Sequence, residues 1–359
     1  MDDRIRFGDG RGIHGSMNTL RTAAIRAIEY FLPETTLSTA QLAAEFPDWS
    51  VQKIESKTGI SNRHIAATTE CSSDLAVAAA EKLFASGACS PADIDYILLC
   101  TQSPDYFLPT TACLIQNRLG IPNTAGALDF NLGCSGFVTG LGLAKGLIET
   151  GQATNVLLLT AETYSKFIHP LDKSVRTIFG DAAAATLITA QQCGKIGPFI
   201  FGTDGSGGEN LIVRTGAMRQ ARTAATAIET TDESGNVRSL DHLYMNGAEI
   251  FDFTLRRIPS CVDALLQRSS LGMDDIDLFV FHQANQYMLE HLRKKLKVPK
   301  EKFLIAMKDC GNTVSSTIPI ALKQSLLAGK LTPGQRIMLV GFGVGYSWAA
   351  ALVTWSAVD

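Results

Sequence analysis

GCSGFVTGLGLAKGLIETG, from Gly133 to Gly151, has a counterpart in GNTVSSTIPIALKQSLLAG, from Gly311 to Gly329. Each stretch opens on a turn, continues as an apolar helical run and closes on glycine, the pattern of a helix entered and left sharply. The likeness spreads along the chain. PADIDYILLCTQS (Pro91–Ser103) matches MDDIDLFVFHQAN (Met273–Asn285), and IQNRLGIP (Ile115–Pro122) matches KKLKVP (Lys294–Pro299) as a helix end before a turn. NVLLLTAE (Asn155–Glu162) then corresponds to RIMLVGFG (Arg336–Gly343). The offset stays at about 180 residues through four successive elements, which predicts two similar halves.

Within the first half, ILLC (97–100), AGALDFN (125–131), NVLLLT (155–160) and AAAATLITA (182–190) are short apolar runs. Helical patterns at 72–86, 109–120 and 136–151 lie among them. Runs apolar on both faces and separated by helices predict an α/β fold of mainly parallel strands covered on two sides. The expected organisation is a polar extension over 1–18, a first half over 19–200, an irregular insertion or cap over 201–243 and a second half over 244–359. Both halves should pack as one catalytic unit. The Gly, Asp, Ser and Asn clusters GTDGSGGEN and TTDESGNVRSLDH mark the insertion as turns and loops, and Met245–Leu266 reads as helix.

Composition bounds the function. The 359 residues, 46% apolar and 19% charged, suffice for a large core. A net charge of −3 gives no footprint for nucleic acid. No stretch reaches about 18 consecutive apolar residues, so no membrane span is expected. The polar start MDDRIRFGDGRGIHGSMN lacks the apolar core of a secretory signal, so the eight cysteines read as reduced thiols of a cytoplasmic protein. They form no CxxC pair or Cys/His cluster, and no metal site is expected.

Among those cysteines Cys134 has distinctive neighbours. The strand AGALDF stops just before it and a Gly/Ala/Leu-rich helix follows. Unpaired N–H groups at a helix start favour a thiolate, so Cys134 is a candidate nucleophile; a small buried packing residue is the other reading. His282 follows the apolar run DLFVF, and Asn312 follows Gly311 at the next helix entrance. By the duplication Asn312 stands opposite Cys134, and His282 opposite Cys100, so loops from the two halves can converge on one cleft. GFGVG (341–345) offers a backbone that can approach a reacting carbonyl, with Phe342 beside it. It is neither a dinucleotide fingerprint nor a phosphate-binding loop.

These blocks, with KTGI (57–60), FGDAAAA (179–185), HQAN (282–285) and GNT (311–313), resemble the β-ketoacyl-ACP synthase III family of the thiolase superfamily from Ala23 to Val353. The resemblance implies a five-layer αβαβα fold, a homodimer and acyl chemistry between thioester carriers. It implies Cys134 as nucleophile, His282 and Asn312 as donors beside the second substrate, and the N–H groups of Cys134 and Val344 as oxyanion hole. It further implies Phe179, Phe342 and Leu108 at the acyl pocket, Leu108 reaching into the partner's site, and Asn285, Gly180 and Asp181 as support. Substrates would be acyl-CoA or acyl-ACP and malonyl-ACP, whose phosphopantetheine thioesters enter as substrates rather than as tightly bound cofactors.

Departures from the family pattern fall where the carrier enters. Lys53 and Lys57 replace a tryptophan and an arginine, Lys173 replaces an arginine, and Tyr287 stands at an often basic position. Lysine attracts phosphate without the planar fork of guanidinium. Arg293, Lys294, Lys295 and Lys297 form a basic helix end that is either a solvated face or a dock for an acidic carrier. The leading expectation is decarboxylative condensation. Acyl transfer to an oxygen, nitrogen or aromatic carbon acceptor is the alternative, and a noncatalytic carrier-binding protein stands behind both.

Overall fold

The computed structural model describes residues 21–191 and 194–356. The expected extension 1–18 lies outside the described residues, as does Cys193. One sheet contains β1 (Thr22–Phe31), β2 (Tyr96–Cys100), β3 (Gly126–Phe130), β4 (Asn155–Glu162) and β5 (Ala182–Gln191), in the order β1-β5-β4-β2-β3. A second contains β6 (Lys195–Thr203), β7 (Leu278–Phe281), β8 (Arg336–Gly343) and β9 (Ser347–Thr354), in the order β7-β8-β9-β6. Read backwards, β6-β9-β8-β7 reproduces β1-β5-β4-β2. A parallel bridge between Phe279 and Phe303 stands where β3 pairs with β2.

The strands are not mainly parallel. β2 runs parallel to β3 and β4, and β7 to β8, whereas β1–β5, β4–β5, β8–β9 and β6–β9 are antiparallel. A run apolar on both sides reports burial of both sheet faces, and the alanine-rich β5 has that burial without a parallel neighbour. Strand β6 crosses the 200/201 boundary expected between first half and insertion, and pairs with β9. The 201–243 segment carries a 3-10 turn, Gly205–Asn210, and the two-residue ladder of Thr230–Thr231 with Val237–Arg238.

Six helices complete the layers: α1 (Ser72–Ala85), α2 (Thr111–Arg118), α3 (Gly136–Glu149), α4 (Gly247–Ser269), α5 (Gln286–Lys295) and α6 (Thr317–Leu327). Helices α3 and α6 lie between the sheets. Phe137, Leu141 and Ile148 of α3 and Ile318 and Leu322 of α6 share one cluster with Leu98, Leu158, Val280 and Leu339. On the far face of the first sheet, Leu75 and Leu83 of α1 and Ile115 of α2 pack on Ile97, Leu99, Leu157 and Leu159. On the second, Val262 and Leu265 of α4 and Leu289 and Leu292 of α5 pack on Phe279, Phe281, Met338 and Val340. Along β4, Val156 and Leu158 face the middle layer while Leu157 and Leu159 face outward, the strand period of two. The layers are therefore αβαβα. Each fully buried large apolar side chain contributes about 1.5–3 kcal/mol of transfer free energy. Close approach of α3 depends on Gly140, where a Cβ would lie 2.6 Å from Leu158 Cδ1.

Candidate active site

Cys134 sits in the 3-10 turn Gly133–Ser135 that runs into α3, and it is buried. The turn is tight: Gly133 has φ +53°, and a Cβ there would lie 2.5 Å from Gln102 Oε1 and 2.9 Å from Val344 Cγ1. The end of β8 presses on the other side. A Cβ on Gly343 would lie 2.8 Å from Cys134 Cβ and 3.0 Å from its Sγ. The glycines of GFGVG thus serve close backbone approach.

Burial, and next the Glu162 carboxylate, push the Cys134 thiol well above its ordinary range, while hydrogen bonds from the Cys134 and Val344 N–H groups act the other way. The helix start does supply donors, but desolvation outweighs them, contrary to the lowering expected from position alone. Those two N–H groups are the pair named for the oxyanion hole. A sulfur within their reach is consistent with a carbonyl oxygen reaching the same donors once the sulfur is acylated.

His282 directly follows β7, and its N–H donates to Val340 O at 2.8 Å. The ring is buried, with Nδ1 2.8 Å from Thr317 Oγ1 and its face edge-on to Phe342, centroids 5.6 Å apart. Burial lowers the imidazole from its ordinary 6.5 to about 3, so it is neutral at physiological pH. Asn312 is held by both loops beside it. Its N–H donates to Ile178 O, and its O accepts from Gly180 N–H, both at 3.0 Å, closing a parallel bridge with Phe179. Its side-chain Oδ1 accepts from Val314 N–H at 2.9 Å, and Nδ2 donates to Ala284 O at 3.3 Å. One Nδ2 hydrogen is left for a substrate.

Cys134 and Phe179 share an apolar cluster with Tyr164, Val175, Val314 and Val344, so the nucleophile candidate, an acyl-pocket candidate and the GNT turn meet there. Leu108 lies outside that cluster and is 86% exposed, beside exposed Tyr106 and Phe107. A cavity of about 820 Å³ adjoins, lined by Phe107, Thr163, Phe167, Val213 and Met218, and Phe167 and Val213 also pack on the Cys134 cluster.

The supporting residues have identifiable tasks. Asp181 is fully buried and accepts from Ala66 N–H at 2.8 Å, Ser165 N–H at 2.9 Å and Ser165 Oγ at 2.5 Å, so its oxygens are occupied by the fold. A Cβ on Gly180 would lie 2.6 Å from Cys310 O. Asn285 caps α5, its Oδ1 accepting from Met288 N–H at 2.8 Å.

The carrier candidates divide. Lys53 and Lys57 hold their ammonium groups 5.2 and 5.8 Å from the centre of the Trp49 ring. Lys173 opens the short helix Lys173–Arg176 and is half-buried. Arg293 is committed to its own surroundings, with Nε and Nη2 on Glu290 Oε2 at 3.0 and 2.8 Å and Nη1 on Val298 O at 3.0 Å. Lys294, Lys295 and Lys297 are exposed.

Two residues of this region carried no sequence signal. Glu162 ends an apolar run and looks like a strand terminus, and Thr317 is one of several hydroxyls in GNTVSST. The one feature that could have found Glu162 is the duplication, which sets it opposite Gly343.

Residues 128–205 match the family described as 3-Oxoacyl-(acyl-carrier-protein (ACP)) synthase III, and residues 266–355 match its C-terminal part. The beta-ketoacyl-(acyl-carrier-protein) synthase III of Clostridium perfringens is 35% identical over 336 residues, covering 93% of this chain and 99% of that protein. This chain belongs to the β-ketoacyl-ACP synthase III family. A crystal structure of a 3-oxoacyl-(acyl-carrier-protein) synthase III, 56% identical, superposes with a TM-score of 0.92 over 93% of this chain and 100% of that one. The 3-oxoacyl-(acyl-carrier protein) synthase of Burkholderia xenovorans is 35% identical, with a TM-score of 0.85 over 94% and 95%. As a β-ketoacyl-ACP synthase III-type enzyme the chain is an acyltransferase with a thiolase-like fold. Among the described residues no group of three or more His, Cys, Asp or Glu is placed to hold a metal, and no helix is long and apolar enough to cross a membrane.

Proposed function

We propose that the enzyme runs a two-stage condensation in which Cys134 first takes an acyl group from CoA or ACP and malonyl-ACP then extends it. In the first stage the Cys134 thiolate attacks the donor thioester carbonyl, the carrier thiol leaves, and a new thioester forms. The Cys134 and Val344 N–H groups hold the oxyanion of the tetrahedral intermediate. In the second stage malonyl-ACP loses carbon dioxide, and the remaining electron pair becomes a thioester enolate. Neutral His282 and the free Nδ2–H of Asn312 donate to the enolate oxygen, where charge grows in the transition state. The enolate carbon attacks the Cys134-bound carbonyl, the sulfur leaves, and β-ketoacyl-ACP departs.

The observation that carries this reading is a buried cysteine with backbone N–H groups at its sulfur and Gly343 pressed against it, with a neutral histidine beside Phe342 and a partly free carboxamide bridged to Phe179, both from the opposite half. Phe179, in the Cys134 cluster, lines the acyl chain, whereas Phe342 packs in the cluster under α4 and α5 and flanks the His282 ring. Leu108, on an exposed apolar loop, would enter the second site of a homodimer, and Lys53, Lys57, Lys173, Lys294, Lys295 and Lys297 would meet carrier phosphate or ACP carboxylates. Carriers of this kind are water-soluble, which fits a cytoplasmic enzyme. Intact-mass measurement with a panel of acyl-CoA and acyl-ACP donors, followed by malonyl-ACP, tests the reading. Acylation lost in Cys134→Ala, with carbon dioxide and a heavier ketoacyl product in wild type, is the expected result. Stable acylation without either product would instead favour another acceptor.

A further inference from the structure

Glu162 ends β4 beneath the Cys134 turn and is fully buried. Its Oε2 accepts from Gln102 N–H at 2.9 Å and Ser103 Oγ at 3.3 Å, and its Oε1 accepts from Ser315 Oγ at 2.8 Å. Gln102 and Ser103 follow β2 in the first half, whereas Ser315 lies in the Val314–Ser316 turn that enters α6 in the second. One carboxyl therefore ties together turns from both halves. The Gln102 side chain, held by Asn131 Oδ1 at 2.9 Å, also fills the space beside Gly133. The clamp thus reaches the residue before Cys134.

The three donors on Glu162 are uncharged. The ionisable groups that interact with it are Cys100 at the end of β2, Cys134, Tyr164 in the turn after β4, and Asp181 before β5. All are acids, so ionised Glu162 raises Cys100, Cys134 and Tyr164, and Asp181 raises Glu162. Burial brings the Glu162 carboxyl up to about 8, against three hydrogen-bond donors that favour the carboxylate. The Val314–Ser316 turn contributes hydroxyl and apolar groups only.

We propose that Glu162 is a positioning residue of the acylation site, clamping the 101–103 and 314–316 turns and, by holding or releasing its proton, controlling how readily Cys134 becomes a thiolate. Two negative charges in one buried site are disfavoured. The carboxyl keeps its proton when the Cys134 proton leaves, and a carboxylate keeps the thiol protonated. A neutral Glu162 leaves the sulfur facing only backbone N–H groups. The consequence for turnover rests on Cys134 being the nucleophile; the charge coupling does not.

Peptide-resolved iodoacetamide labelling of Cys134 in the full chain, from about pH 6 to about pH 10, tests this in wild type, Glu162→Gln and Ser315→Ala. Above about pH 8, where the wild-type carboxyl is ionised, Glu162→Gln should be labelled about tenfold faster than wild type, and below it the two should be labelled alike. Ser315→Ala should speed labelling less, and only just above about pH 8, because losing that donor keeps Glu162 protonated to higher pH. A folded Glu162→Gln protein labelled no faster than wild type at about pH 9–10, whatever its melting temperature, overturns the proposal. If that variant does not fold, an unchanged labelling rate just above about pH 8 in Ser315→Ala does so. Acylation that survives in Cys134→Ala would defeat the nucleophile assignment while leaving the labelling result to decide the role of Glu162.

Discussion

The Thr317 hydroxyl lies 2.8 Å from His282 Nδ1 and 3.1 Å from the carbonyl oxygen of Val314. A hydroxyl has one proton, and its destination selects the histidine tautomer. Given to Nδ1, it leaves the hydrogen on Nε2, where it can point at an enolate oxygen. Given to Val314, it makes Nε2 a bare acceptor.

Condensation needs the first arrangement. Thr317→Val should slow carbon dioxide release from malonyl-ACP about tenfold, the scale of one buried hydrogen bond, while sparing first-stage acylation. Thr317→Ser should recover most of the loss. Equal losses in both stages would mean that the residue only supports the fold.

A neutral His282 has a pH signature. The folded value near 3 lies below the ordinary 6.5, so between those values the unfolded chain binds the extra proton. Stability therefore falls as pH drops through that window, and His282 adds a few kcal/mol to the loss. His282→Gln should show a flatter melting temperature between about pH 6.5 and about pH 4. Decarboxylation in wild type should show no inflection near about pH 6.5.

Gly343→Ala places a methyl group 2.8 Å from Cys134 Cβ and 3.0 Å from Sγ. The clash should cost about 1–3 kcal/mol of stability. It should also cut acylation at least about tenfold, because the displaced sulfur leaves its N–H donors. Thermal melting and intact-mass acylation measure the two effects separately.

The basic end of α5 predicts a split. Reversing Lys294, Lys295 and Lys297 to Glu should weaken ACP binding at low salt and much less at high salt, where surface charges are screened. Arg293→Ala, which removes three hydrogen bonds internal to the region, should lower stability with little change in ACP affinity. Unchanged low-salt affinity in the triple reversal would remove this face as a docking site.

The duplicated fold was legible because helix and strand periods repeat with their turns in register. Strand direction was not. An Ala182–Ala190 run buried on both faces looks alike whichever way its neighbours point. Cys134 and Asn312 were legible as polar groups at matching element ends of the two halves, and His282 as one at a strand end opposite Cys100. Glu162 was hidden because its meaning comes from Gln102, Ser103 and Ser315, which only folding brings to it. The sense of the Cys134 shift was misread for a related reason: sequence reveals a helix start, but not how completely the sulfur is desolvated.

The bridge between Phe179 and Asn312 joins an acyl-lining candidate to a carboxamide donor through main-chain hydrogen bonds. Loop movements around Phe179 would carry the Asn312 amide with them, away from the enolate oxygen it is proposed to meet. Trimming the Phe179 side chain leaves the bridge intact. Divergence toward longer or branched chains in this scaffold is thereby channelled into side-chain substitution, with the loop backbone held constant by the chemistry it also serves.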